Sequence, residues 1–153
     1  WDVLEGKLTT GAKVVVADWR CDWIGPGLAE RLTRAGAHVT LAVNGTHAGE
    51  SLPLYVRDTL AATLQGLGVQ IVPYARLYGT AGDTVYLQHT ASGAAIEVSG
   101  VDTVVLALGH TSVDDLSDSL HAMGREVHLI GDCLSPRTAE EAVFDGLKAG
   151  VAV

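Results

Sequence analysis

The segment Asp18-Trp19-Arg20-Cys21-Asp22-Trp23-Ile24-Gly25 has the residue types that bear most directly on chemistry. It follows the β-rich run Val14-Val15-Val16-Ala17 and leads into Pro26, with Leu28, Leu32 and Ala35 recurring at helical spacing. A nucleotide-binding α/β domain reads G-x-G-x-x-G at this turn. Its glycines make the tight turn, bring the backbone amides to a pyrophosphate and let the helix pack on the strand. Here only the last glycine, Gly25, is in place, and the loop is about two residues too long for the motif. Asp18 and Asp22 would repel a phosphate, and Arg20 offsets only one of them. Trp19 and Trp23 put bulk where backbone must be exposed. The next strand ends at Val43-Asn44, with no acid to bind a ribose hydroxyl and no nearby arginine for a 2′-phosphate. The expectation is a dinucleotide-type scaffold whose own site is filled, with Asp18 and Gly25 marking the degenerate loop.

Gly131-Asp132 is the second candidate. An aspartate just past a strand and ahead of a helix opening at Ser135-Pro136 can hold a ribose or ribityl hydroxyl; equally, it can order the loop or cap the helix. Gly109, after an apolar strand, offers a close approach to a cofactor. Gly109, Gly131 and Asp132 are therefore the candidate nucleotide contacts. The six histidines are scattered, with no metal-ligand spacing; His110 and His47 lie at strand ends but carry no further signal. Cys21 and Cys133 are far apart, which argues against a disulfide framework and for a cytoplasmic compartment. Cys133 reads as a small buried filler. No arrangement of Ser, Cys and His suggests a nucleophile, so no catalytic or metal residue is assigned.

The elements that must position these residues alternate strand and helix. After the first βα unit, His38 to Val43 reads as a strand and Asn44 to Ser51 as a loop. Pro53 opens a helix with Val56, Leu60, Leu64 and Leu67 on one face, and Val69 to Val72 is a third strand. Leu77 to Gly100 then carries two alternating stretches, Thr84–His89 and Ala95–Val98, separated by turns, which predicts an antiparallel meander. Val101 to Leu108 reads as a central strand covered on both faces. Ser112 to Met123 is predicted as a short helix, Val127 to Ile130 as a last strand, and a final helix presents Ala139, Ala142, Val143, Gly146, Leu147 and Gly150 inward. The fold class is a doubly wound parallel α/β sheet of the FAD/NAD(P)-binding Rossmann-like kind, with a β-meander crossover. Its sites belong at the carboxyl ends of the parallel strands.

Composition agrees with one domain. The chain has 153 residues, 48% of them hydrophobic, and 18 glycines. Its net charge of −8 disfavours nucleic acid and anionic membranes as partners, and no apolar run is long enough to span a bilayer. The Trp1 start and an ending inside an apolar run mark an expected fragment of a larger protein.

The stretches AKVVVADWRCDWIGPGLAERLTRAGAHVTLAV, VDTVVLALGHTSVDDL and VHLIGDCLSPRTAEEAVFDGLKAG together resemble the carboxyl-terminal region of the trimethylamine dehydrogenase and 2,4-dienoyl-CoA reductase family. The resemblance covers nearly the whole chain. It implies a parent with an amino-terminal β/α barrel carrying FMN and a 4Fe-4S cluster, followed by domains like the FAD and NAD(P)H domains of disulfide reductases. This chain would be the last of these, a single domain over 1–153, with 131–153 returning toward the FAD-like domain. The reductase branch of the family keeps a glycine-rich NADPH loop, and the amine dehydrogenase branch has lost it. The segment Asp18–Ile24 follows the second pattern. The implied parent is an amine dehydrogenase or N-demethylase passing electrons to an electron-transferring flavoprotein, with ADP a possible structural ligand near Gly131-Asp132. The alternative is a working NAD(P)H domain of an enoate or dienoyl-CoA reductase. A third reading is a stand-alone module binding adenine nucleotide or a protein.

Overall fold

A computed structural model describes residues 1–152. The element order is β1 (Lys13–Asp18), α1 (Ile24–Arg34), β2 (His38–Val43), α2 (Leu54–Leu67), β3 (Gln70–Val72), β4 (Ala75–Ala81), β5 (Thr84–His89), β6 (Ala95–Val98), β7 (Thr103–Ala107), α3 (Ser117–Ala122), a 3-10 turn at Gly131–Cys133, and α4 (Ala139–Ala152). These fall into two compact units, Trp1–Gly109 and His110–Val153.

In the first unit a parallel sheet runs in the order β3-β2-β1-β7 and an antiparallel sheet in the order β4-β5-β6. The chain leaves β1 in both directions along the parallel sheet, which is the doubly wound pattern, and the meander supplies the crossover to β7. Alternation along β1 decides which layer each residue meets. Val14 and Val16, both fully buried, pack with Leu28, Ala29 and Leu32 of α1 and Leu64 of α2. Val15 points the other way and packs with Ala75, Val85 and Leu87 of the meander. Helices therefore cover one face and the meander covers the other. That is why β1 reads as an unbroken valine run and not as an alternating one. Gly68 closes α2 with φ +81 while the Val69 N–H reaches the Leu64 carbonyl at 3.0 Å, a left-handed cap that a side chain would strain.

Several expectations differ in detail. The meander has a third strand, β4, whose register shift between Leu77 and Gly79 breaks the alternation. Strand β7 pairs with β1 alone among the described residues and stands at the sheet edge. Leu106 is 58% exposed there, so the run is not covered on both faces. On α1, Ala29 and not Ala35 completes the buried stripe.

The second unit departs further. Residues 127–130 are not a strand, since a strand needs a hydrogen-bonding neighbour and no described strand pairs with them. Helix α3 is shorter than expected, starting at Ser117. Helix α4 starts at Ala139, and none of its residues is buried; Val143 and Leu147 of the expected inward stripe are exposed. Ala142 of that stripe lies close to the 3-10 turn. A Cβ added to Gly131 would lie 3.3 Å from the Ala142 Cβ.

Candidate functional site

At the carboxyl end of the parallel strands, the loop between β1 and α1 is held from both sides. The Trp19 N–H donates to the Ala107 carbonyl of β7 at 3.2 Å, and the Asn44 N–H donates to the Asp18 carbonyl at 3.0 Å. The Gly45 N–H donates to Cys21 Sγ at 3.2 Å. Ser51 donates to the Cys21 carbonyl through its N–H and its hydroxyl. The loops 18–25 and 44–51 thus close on each other around Cys21, which is buried and sits at φ +54. That left-handed conformation is uncommon for a residue with a side chain.

The centre of the loop is the Asp18 carboxyl. It is 2% exposed, and Oδ1 accepts the Cys21 N–H at 2.9 Å. Oδ2 has no hydrogen-bond partner. The carboxyl lies against Gly25 in the first turn of α1, where an added Cβ would fall 2.4 Å from Asp18 Cγ. Gly25 is therefore needed for a close approach, made by an aspartate side chain. Burial pushes the Asp18 carboxyl up to about 6; the Cys21 N–H opposes the shift, the Asp22 charge adds to it, and the Arg20 N–H and charge reduce it.

Asp22 acts on the same helix end. Its Oδ1 accepts the Ile24 N–H at 2.9 Å, and its Oδ2 pairs with Arg20 Nε at 3.0 Å. A helix amino end carries unpaired N–H groups and a partial positive charge, which is what fits it to an anion. Here two carboxylates of the loop itself stand at that end. Burial also raises the Cys21 thiol, with Asp18 and Glu50 adding to the effect, which disfavours a thiolate nucleophile.

The sequence-predicted site residues fall into two groups. Asp18 and Gly25 touch, and Gly109, at φ +134, approaches Arg20 of the same loop. Gly131 and Asp132 lie in the second unit. Gly131 is buried at φ +59 and Asp132 is exposed. The capping contact considered for Asp132 is made instead by Glu141, whose Oε2 accepts the Thr138 N–H at 3.0 Å and also the Thr138 hydroxyl. The spacing Thr138-x-x-Glu141 is the sequence signal for it.

Trp19 and Trp23 are 45% and 54% exposed, so their rings do not fill the loop; Asp18 does. His47 Nδ1 shares a hydrogen bond with the Thr46 hydroxyl. A cavity of about 550 Å³, bordered by Leu8, Gly11, Arg31 and Gly36, lies at the opposite, amino-terminal end of the strands. Among the described residues no group of three or more His, Cys, Asp or Glu is placed to hold a metal, and no helix is long and apolar enough to cross a membrane.

No family model matches the chain. It is 29% identical over 178 residues to dimethylamine dehydrogenase of Hyphomicrobium sp. (strain x), a match covering 94% of this chain and 23% of that protein. The structure of 6-hydroxypseudooxynicotine amine oxidase from Pseudomonas geniculata N1 is 30% identical with a TM-score of 0.86, over 97% of this chain and 23% of that one. The structure of a 2-naphthoyl-CoA reductase is 29% identical with a TM-score of 0.79, over 99% of this chain and 23% of that one. The chain thus spans about a quarter of the length of the relatives it matches.

Proposed function

Because the chain belongs to the trimethylamine dehydrogenase family, as the counterpart of its carboxyl-terminal region, we propose that it is the pyridine-nucleotide-domain-like part of an FMN and 4Fe-4S oxidoreductase. The parent enzyme oxidises an amine or an N-methyl compound. The role of this region is mainly structural, and its first loop is closed to nucleotide. FMN and the cluster belong to the rest of the parent polypeptide, and an ADP held beside Gly131-Asp132 fits the same plan. Its partners are the other domains of that cytoplasmic enzyme and an electron-transferring flavoprotein.

One observation carries the loop reading. The Asp18 carboxyl, buried against Gly25, takes the position at the amino end of α1 that a pyrophosphate needs. The residues present do not fit NAD(P)H, for steric and electrostatic reasons together. Calorimetry of the chain with NADH and with NADPH tests this. Binding weaker than micromolar is expected; a Kd below about 1 μM, or about −8 kcal/mol, sinks the reading.

The likeness to a CoA reductase supports a second reading, a working NAD(P)H domain of a flavin-dependent enoate or dienoyl-CoA reductase. Rapid anaerobic reduction of the full-length enzyme by NADPH would favour it. Bleaching of the flavin by a methylated amine, with no reduction by NADPH, would exclude it.

A further inference from the structure

The Asp18 carboxyl is an acid sealed in its loop with half of its hydrogen-bonding capacity unused. Oδ1 has the Cys21 N–H, while Oδ2 is buried with no partner. Protonation would put an O–H on Oδ2, and an unpaired neutral hydroxyl costs far less to bury than an unpaired charge. The shut loop therefore suits the acid and not its anion. The charges facing it are few. Arg20 and Asp22 lie on the loop itself and pair with each other, the Cys21 thiol adjoins it, and Glu50 comes from the neighbouring loop. The strand ends Val43 and Ala107 and the helix start Gly25-Pro26 bring none.

The loop is also poised to release. Cys21 is held at φ +54, which opening relieves. Trp19 and Trp23 are already about half exposed, so moving them uncovers only the remaining half of each ring.

We propose that residues 18–25 form a proton-operated latch, in which protonated Asp18 sits shut on Gly25 and ionised Asp18 leaves that seat, loosening the loop and uncovering Cys21. The proposal builds on the filled-loop reading and extends it. Shut, the carboxyl excludes a phosphate by volume; released, it faces the mouth as an anion while Asp22 keeps the Ile24 N–H.

Trp19 and Trp23 report the motion directly. In a Trp1→Phe background, acrylamide quenching is followed from about pH 4 to about pH 8, beside the NMR shift of the Cys21 amide. Quenching is expected to rise by up to about twofold, since the rings start near half exposure. The Cys21 amide should move with the same midpoint, near pH 6. Asp18→Asn should be flat. Asp22→Asn should keep the transition and lower its midpoint, because a negative neighbour is gone; this variant decides the matter if Asp18→Asn does not fold. A flat wild-type curve, a transition surviving in Asp18→Asn, or an unmoved or raised midpoint in Asp22→Asn overturns the latch. None of these outcomes bears on NADH binding, so latch and filled loop fail separately.

Discussion

Replacing Asp18 by Asn removes a buried charge and leaves the shape nearly unchanged, so its effect on stability can be worked from the structure. In the unfolded chain the carboxyl titrates near 3.8, and in the folded chain near 6. The folded state therefore binds more protons between those values, and stability falls as pH rises through that window. The contribution is fully present below about pH 3.8 and is lost above about pH 6. A gap of about 2 units at about 1.36 kcal/mol each gives a loss of about 3 kcal/mol. Asp18 is 2% exposed, so solvent screening does not reduce the figure. Release of the loop does, which makes about 3 kcal/mol the upper end.

Asn cannot ionise, and its oxygen can still accept the Cys21 N–H. Its amide nitrogen takes the place of the unpartnered Oδ2, at a cost of about 1–3 kcal/mol. Below pH 4 the variant should be less stable than wild type by that amount. Above pH 7 the two should be close, or the variant ahead. The assay is urea unfolding followed by tryptophan emission across this range, with Trp19 and Trp23 both reporting on the first unit. The decisive quantity is the wild-type minus variant difference. It cancels the titrating groups that do not couple to Asp18 and should fall by up to about 3 kcal/mol between about pH 4 and pH 7. A difference that stays level, or rises with pH, would refute the burial argument for Asp18.

Other substitutions follow from the same geometry. Gly25→Ala forces a methyl to 2.4 Å from Asp18 Cγ and should cost about 1–3 kcal/mol by urea unfolding, with most of the cost gone when Asp18 is also Gly. Leu64→Ala empties a fully buried position between α2 and the sheet and should cost about 2–5 kcal/mol, while Leu147→Ala, at a 62% exposed position, should change stability by less than about 0.5 kcal/mol. Thr138→Ala removes the bond from its hydroxyl to Glu141, and amide exchange in the first turn of α4 should become faster.

Local pattern carried much of the fold. Strands β5 and β6 have the bounds that alternation and flanking turns indicate, and β2, buried along nearly its whole length, has the bounds of its apolar run after α1. Strand β4 was hidden, since its register shift at Leu77/Gly79 interrupts the period. Residues 127–130 have strand composition but no described neighbour, and pairing is a property of two segments. Missing glycines in the first loop were legible, and so was an excess of acid. What fills the loop was not. Bulk suggested the tryptophans, whereas an aspartate is ordinarily a surface residue. Its burial depends on Gly25, seven positions on, leaving a space that only the folded turn creates.

A nucleotide loop can fail in two ways, and they have different consequences. Bulky residues alone would block the ligand and leave the first N–H groups of α1 to water. Acidic side chains block the ligand, and one of them, Asp22, also supplies an acceptor and negative charge that the helix end would otherwise take from a phosphate. Asp22 gives an acceptor to Ile24, and Asp18 gives one to Cys21 and fills the space over Gly25. The scaffold then no longer needs a bound nucleotide at this helix end, and it can persist as a support without one. The drawback is a carboxyl taken out of water with one oxygen bare, and that burial weakens the acidity of Asp18. Restoring a nucleotide site would therefore take more than adding glycines. Asp18 must go, Asp22 must release the Ile24 N–H, and Arg20, freed from Asp22, becomes the first group available to meet a phosphate.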